Sequence, residues 1–207
     1  MLFIAFLAGQ PAASSAVRQS MTIILRLISH TELDRLLPPF VEVLRQAVNG
    51  GAGLGFLPPL THDESRDYWL SVRPELQAGS RLLLAAFTGG RLVGSGQLMF
   101  SSWTNRPQRA EIQKVFVAAA VRGRGVGRSL MAALHDTARR RGRSLVVLNA
   151  RRGGPAESFC RRLGYTEVGV MPGYAVGPSR ERYDIVSFYQ ELARERAERS
   201  IIGASNT

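Results

Sequence analysis

The stretch VFVAAAVRGRGVGRSLM, residues 115–131, decides the fold. It runs from an apolar, strand-like segment through a short connection and a glycine-rich turn into a helix. Gly123, Gly125 and Gly127 permit positive φ and close backbone approach, so successive N–H groups converge on an anion. A helix opening near Gly127, with Val126 and Ser129 in its first turn, adds a positive dipole end at the same place. Arg122, Arg124 and Arg128 surround the turn with permanent charge and forked donors. The turn is built to cradle phosphate. A P-loop is excluded, because Arg122 stands where its first glycine belongs and Arg128 replaces its lysine. The dinucleotide fingerprint fails too: counted from Gly123 the third glycine comes early, and counted from Gly125 the last position is Leu130. What remains is R-x-x-G-x-G, made by Arg122, Gly125 and Gly127.

Outward from the turn, strands and helices alternate. Upstream, RLLLAAF (81–87), RLVGSGQLMF (91–100) and RAEIQKVFV (109–117) read as strands, the first two joined through Thr88-Gly89-Gly90. TIILRLI (22–28) is a further strand. A helix is expected over Pro39–Val48, opened by Pro38-Pro39 and stopped by Asn49-Gly50-Gly51. GGAGLGFLPP (50–59) reads as a loop. Thr61 with Glu64 forms a capping box for a helix reaching Gln77. Downstream, the apolar positions Leu130, Ala133, Leu134 and Ala138 mark a helical face ending at Gly142. SLVVLNA (144–150) is a buried strand, PAESFCRRLG (155–164) a short helix, and YTEVGVM (165–171) and ERYDIVSFYQEL (181–192) two more strands. The sum is a mixed α/β domain with an antiparallel start and one βαβ unit.

The chain has 207 residues, enough for one domain with short tails. Its net charge of +11 favours a polyanionic partner, whether nucleic acid, an anionic surface or a ligand carrying several phosphates. Nearly all of that charge is arginine, since Lys114 is the only lysine. Cys160 is the only cysteine, which excludes an internal disulfide and a thiolate zinc cluster. His30, His62 and His135 have no metal-ligand spacing, so no metal is expected. The opening MLFIAFLAGQPAASSA imitates a signal peptide but lacks a basic start and is too short to span a bilayer. Two readings of residues 1–20 remain, a weak export signal or an upstream extension; the extension, outside the fold, is the expectation, with residues 21–192 the domain and residues 193–207 a charged tail.

AEIQKVFV, the RGRGVGRSLM loop, the following helix, SLVVLNA, ESFCRRL and the pair Gly164-Tyr165 together resemble the GNAT acetyltransferase superfamily. RRGGPAESFCRRLGYTEVGVMPGYAVGP, AVNGGAGLGFLPPLTHDESRDYW and LQAGSRLLLAAF are similar to its tabtoxin-resistance type, over roughly Met21 to Leu192. The resemblance implies a central, mostly antiparallel mixed sheet flanked by helices, with one βαβ unit that binds acetyl-CoA. It implies a cytoplasmic enzyme that transfers acetyl to a small-molecule amine, or occasionally a hydroxyl, by direct attack. The backbone near Phe116 or Val117, at a splayed strand end, would polarise the acetyl carbonyl.

Glu111 stands where such proteins often carry a catalytic carboxylate, and a carboxylate against low-dielectric walls gains basicity. An ion pair with a neighbouring arginine is its other reading. Two positions depart from the resemblance. Asn149 replaces a usual aspartate, and an amide is no base, so it is expected to hydrogen-bond the pantetheine or the acceptor. Cys160 replaces the tyrosine that protonates the CoA thiolate. It could donate that proton or be a small core residue, in which case Tyr174 or solvent takes over. Arg151, Arg152, Arg161 and Arg162 are candidates for the CoA phosphates, and Phe56, Trp69 and Trp103 for the acceptor pocket. Two alternatives stay open, acetyl-CoA binding without catalysis and a basic nucleic-acid-binding module, and so does a homodimer. No membrane partner is expected.

Overall fold

A computed structural model of the chain describes residues 3–4 and 21–193. The first helix, α1, spans His30–Asn49 and starts well before the expected Pro39. Ser29 caps it, accepting from the Glu32 amide while the Glu32 carboxylate accepts from the Ser29 amide at 3.0 Å. Pro38 and Pro39 therefore lie inside the helix rather than at its start. The second helix, α2, spans His62–Ala78 and carries the expected Thr61–Glu64 box. Two further helices follow, α3 over Val126–Arg140 and α4 over Pro155–Arg162.

The strands are β1 (Phe3–Ile4), β2 (Ile24–Ile28), β3 (Arg81–Thr88), β4 (Arg91–Phe100), β5 (Arg109–Val117), β6 (Leu145–Arg151), β7 (Thr166–Val176) and β8 (Arg182–Glu191). Their order is β2-β3-β4-β5-β6-β8-β7, with only the β5–β6 neighbours parallel along this path. The mixed, mostly antiparallel sheet expected from the sequence is present, with α3 as the crossover between β5 and β6.

Helices cover both faces. Phe40, Leu44 and Trp69 of α1 and α2 pack with Leu83, Ala85 and Phe116 on one face. Trp69 donates its indole N–H to the Phe40 carbonyl at 3.0 Å, so its one polar atom is satisfied in the core. Leu130, Leu134 and Ala138 of α3 and Cys160 of α4 pack with Ile112, Val115 and Leu148 on the other. Each large apolar side chain so buried contributes about 1.5–3 kcal/mol. Gly96 lets α3 press close, since a Cβ there would lie 2.8 Å from Leu134 Cδ1.

Two irregularities shape the centre. Gln97 faces Gln113 and Ser95 faces Phe116, so β5 carries an extra residue, with Lys114 at φ +49°. The parallel pairing of β5 and β6 runs only from Arg109↔Leu145 to Glu111↔Val147. Beyond that the strands part. In the gap Phe3–Ile4, from the segment expected outside the fold, pair with Asn149–Ala150 of β6. The rest of residues 1–20, and all but Ala193 of the 193–207 tail, lie outside the described residues.

Candidate active site

The glycine turn stands at the mouth of the gap. Ala119–Val121 form a single 3-10 turn leading from β5 into it. Gly123 and Gly125 have φ of +74° and +88°, and a Cβ on either would meet nothing within 4 Å. The turn is open as well as left-handed. Gly125 is the N-cap of α3 and brings no side chain to cap it. Arg122 folds inward, donating Nε–H to the Val117 carbonyl at 3.0 Å, and burial lowers its pKa. Arg124 and Arg128 are exposed beside the turn, Ser129 is half-buried, and Val126 and Gly127 are buried where α3 meets the sheet. Phe116 and Val117 are buried at the end of β5, their side chains on opposite faces.

Glu111 sits at the point where β5 and β6 part. Its carboxylate accepts from Gln113 Nε2 at 2.9 Å and pairs with Arg109 at 3.3 Å, so the ion pair weighed from the sequence is formed. Its side chain opens onto a groove lined by Met99, Ser101, Trp103 and Arg109. Trp103 is 68% exposed there, whereas Trp69, the other candidate for an acceptor pocket, is fully buried core.

Asn149 is buried on β6 and its Oδ1 accepts from Ser187 Oγ at 2.7 Å. Cys160 is 0% exposed within the α3–α4 cluster, and burial, then Glu157, pushes its thiol up to about 12. A thiol so enclosed and so weakly acidic does not face the cleft, and it behaves as the small core residue of its alternative reading. Tyr174 is exposed on β7, where the register slips between Met171 and Ala175. The three catalytic candidates are thus not gathered into one cluster.

The arginines proposed for phosphate are largely engaged elsewhere. Arg152 pairs with Asp184 at 3.2 Å, and Arg161 with Glu157 and Glu167 at 2.8 and 2.5 Å. Arg151 turns toward a recess between the α1–α2 connection and the β7–β8 hairpin, lined also by Phe56, Pro58, Val176 and Tyr183. Its guanidinium lies 4.3 Å from the Tyr183 ring centroid and 3.7 Å from Glu181. Phe56 is one wall of this recess.

A buried polar cluster on the α1–α2 face was not anticipated. Arg81, Ser95, Gln97, Gln113 and Lys114 are all buried there. Tyr68 Oη donates to Gln97 Oε1 at 3.0 Å, Arg81 donates to the same oxygen, and Arg81 pairs with Glu75 at 2.5 Å. Burial pushes the Tyr68 hydroxyl up to about 12. The one sequence signal for this cluster was a lone lysine inside a strand of an arginine-rich chain. Among the described residues no group of three or more His, Cys, Asp or Glu side chains could hold a metal, and no helix is long and apolar enough to cross a membrane.

Known proteins resemble this chain in both sequence and fold. Residues 54–165 match the model of the Acetyltransferase (GNAT) family. The chain is 35% identical over 107 residues to the streptothricin acetyltransferase of Streptomyces lavendulae, a match spanning 50% of this chain and 54% of that protein. It therefore spans about half the length of that curated relative. An N-acetyltransferase structure from Staphylococcus aureus Mu50 superimposes with TM-score 0.67 at 16% identity, covering 83% of this chain and 99% of that one. The yncA structure from Salmonella typhimurium, solved with its cofactor acetyl-CoA, gives TM-score 0.63 at 22% identity, covering 88% and 99%.

Proposed function

The chain belongs to the acetyltransferase (GNAT) family, and from that premise we propose that it moves acetyl from acetyl-CoA to an amine, or occasionally a hydroxyl, of a small-molecule acceptor. The observation that carries this is the parting of β5 and β6 after Glu111↔Val147, with the open, uncapped glycine turn at its mouth. A fold alone would not suffice, because folds host many functions.

The residues fit acetyl-CoA. Gly123 and Gly125 leave room for a pyrophosphate against the backbone, and no side chain competes for the N-terminus of α3. Arg124 and Arg128 supply exposed guanidinium donors, while Arg122, tied to Val117, stiffens the approach. Acetyl-CoA supplies the activated thioester, and the chain's task is to position, polarise and deprotonate. Backbone N–H at Phe116 or Val117 polarises the acyl oxygen as charge builds there. Glu111 takes the acceptor's proton, directly or through one water, with Arg109 and Gln113 holding its carboxylate in place. With Cys160 closed off, Tyr174 or solvent returns a proton to the departing sulfur.

The likeness to streptothricin acetyltransferase supports an antibiotic- or toxin-like acceptor of the resistance type. Residues 21–192 form the acetyltransferase unit in this reading, which operates in the cytoplasm. The test is calorimetric titration with acetyl-CoA, followed by thiol release with streptothricin as the probe acceptor. Binding with thiol release is expected. Folded protein that binds no acetyl-CoA would overturn the reading, and binding without release over a broad amine panel would reduce it to a non-catalytic acetyl-CoA protein.

A further inference from the structure

Lys114, the chain's one lysine, stands at the bulge of β5 in a left-handed conformation that non-glycine residues rarely take. The bulge turns its side chain to the α1–α2 face, where it is 2% exposed. There Nζ donates to the Leu54 carbonyl. It also lies 4.1 Å from the ring centroid of Phe56 and 4.8 Å from that of Tyr68. Leu54 and Phe56 belong to the connection between α1 and α2, and Phe56 is a wall of the recess that Arg151 and Tyr183 complete. One amine therefore ties the middle of the sheet to the segment closing that recess.

The geometry points to Lys114 as a latch that holds residues 50–60 over the recess and whose hold depends on its own protonation. The latch stands independently of the function proposed above.

The surroundings fix the sign. Arg81 of β3 is the charged group acting on Lys114, the Tyr68 ring of α2 faces it at 4.8 Å, and Gln113 and Glu111 stand on β5 itself; residues 50–60 contain no titratable side chain. Glu75 is engaged by Arg81, and Glu111 by Arg109. Among the described residues no carboxylate pairs with the lysine. Burial first, and Arg81 second, push Lys114 down to about 6. Lifting the connection lets water reach the amine and returns it toward about 10.4. The open form thus binds the proton more tightly than the closed form. Rising pH favours the closed connection across that window, and acid favours opening, by up to about tenfold per pH unit.

The sole lysine makes the test direct. In protein labelled with 15N-lysine, the single side-chain signal is expected to titrate near pH 6; a midpoint near 10 would overturn the latch. Hydrogen exchange of the amides of residues 50–57, corrected for intrinsic rates, is expected to slow as pH rises from 6 to 9 in the wild type. In Lys114→Met that pH dependence should vanish, and its persistence would overturn the proposal. Calorimetry with acetyl-CoA separates this from the reading of the family site. Unchanged cofactor affinity in Lys114→Met is expected, and its loss would assign the lysine to the cofactor half instead. If the variant does not fold, the wild-type lysine titration and the pH dependence of wild-type exchange decide together, and exchange that does not slow as pH rises would overturn the latch.

Discussion

Glu111 and Val147 are the last facing pair between β5 and β6, and the cleft of this protein begins at that pair. The carboxylate proposed as base therefore stands at the closed end of the gap, while the glycine turn stands at its mouth. A phosphate at the turn and a reacting group near Glu111 would lie along one line, as an elongated cofactor requires.

Glu111→Gln keeps the side chain's size and its contacts with Arg109 and Gln113 within reach, but removes its basicity. We expect acetyl-CoA affinity within about twofold of the wild type, and turnover lowered by roughly 10²–10⁴, the usual worth of a general base. Calorimetry and thiol release measure the two quantities separately. Unaltered turnover would assign Glu111 to its ion pair with Arg109 alone.

Gly125→Asp is expected to abolish acetyl-CoA binding. The position is open, so the carboxylate meets no clash, but it would stand at the N-cap of α3, where the phosphates belong. Gly125→Ala is the control. It shares the strain of φ +88°, about 1–2 kcal/mol, without the charge. Binding kept by the alanine variant and lost by the aspartate would identify repulsion as the cause. Equal loss in both would point to backbone conformation instead.

The sequence made α2 and the glycine turn legible because their signals are local. Thr61 and Glu64 are three residues apart, and the turn carries its own glycines. The start of α1 carries the same signal in Ser29 and Glu32, but Pro38-Pro39 drew the boundary forward, since proline more often opens a helix than sits inside one. The bulge at Lys114 was hidden for another reason. It exists only in the register of β5 against β4, which a single strand's pattern does not contain. Cys160 likewise gave no sign of which helix face it occupies until α4 had a sheet to pack on. Elements set by local backbone were readable, and features set by tertiary packing were not.

Gly94→Val should destabilise the protein while leaving the glycine turn untouched. A Cβ at Gly94 would lie 2.7 Å from the Phe116 carbonyl oxygen and 3.4 Å from Leu130, so β4 and β5 would be forced apart beside the bulge. Overpacking of this kind costs about 1–3 kcal/mol. Thermal unfolding should show a drop of several degrees, and an unshifted midpoint would mean that the strands yield without strain.

His135 gives the fold an acid limit. Its ring lies 2.5 Å from the Tyr165 hydroxyl in the core, and burial, then Arg139, pushes it down to about 4. Unfolded, it returns to about 6.5, so the unfolded chain binds the extra proton between those values. Stability from this group is present above pH 6.5 and is lost as pH falls toward 4, by roughly 3 kcal/mol in all. Urea titrations at pH 7, 5.5 and 4 should show the decline. His135→Leu should flatten this part of it, and an equally steep decline in the variant would assign the acid sensitivity to other groups.

The N-terminal segment supplies the last expectation. Phe3 and Ile4 pair in parallel with Asn149 and Ala150, on the edge of β6 that β5 leaves bare. That is also the edge along which a ligand entering from the glycine turn would run. A chain truncated to residues 21–207 offers it unoccupied, whereas the full chain must first break the pairing. Giving up about one net hydrogen bond costs around 1 kcal/mol, so the truncated chain should bind acetyl-CoA roughly five- to tenfold more tightly. Side-by-side calorimetry of the two chains measures this, with Gly125→Asp in each to confirm that the heat comes from the cofactor site. Equal affinities would mean that Phe3–Ile4 and the cofactor share the cleft, and weaker binding by the truncated chain would make the segment a part of the site rather than a competitor for it.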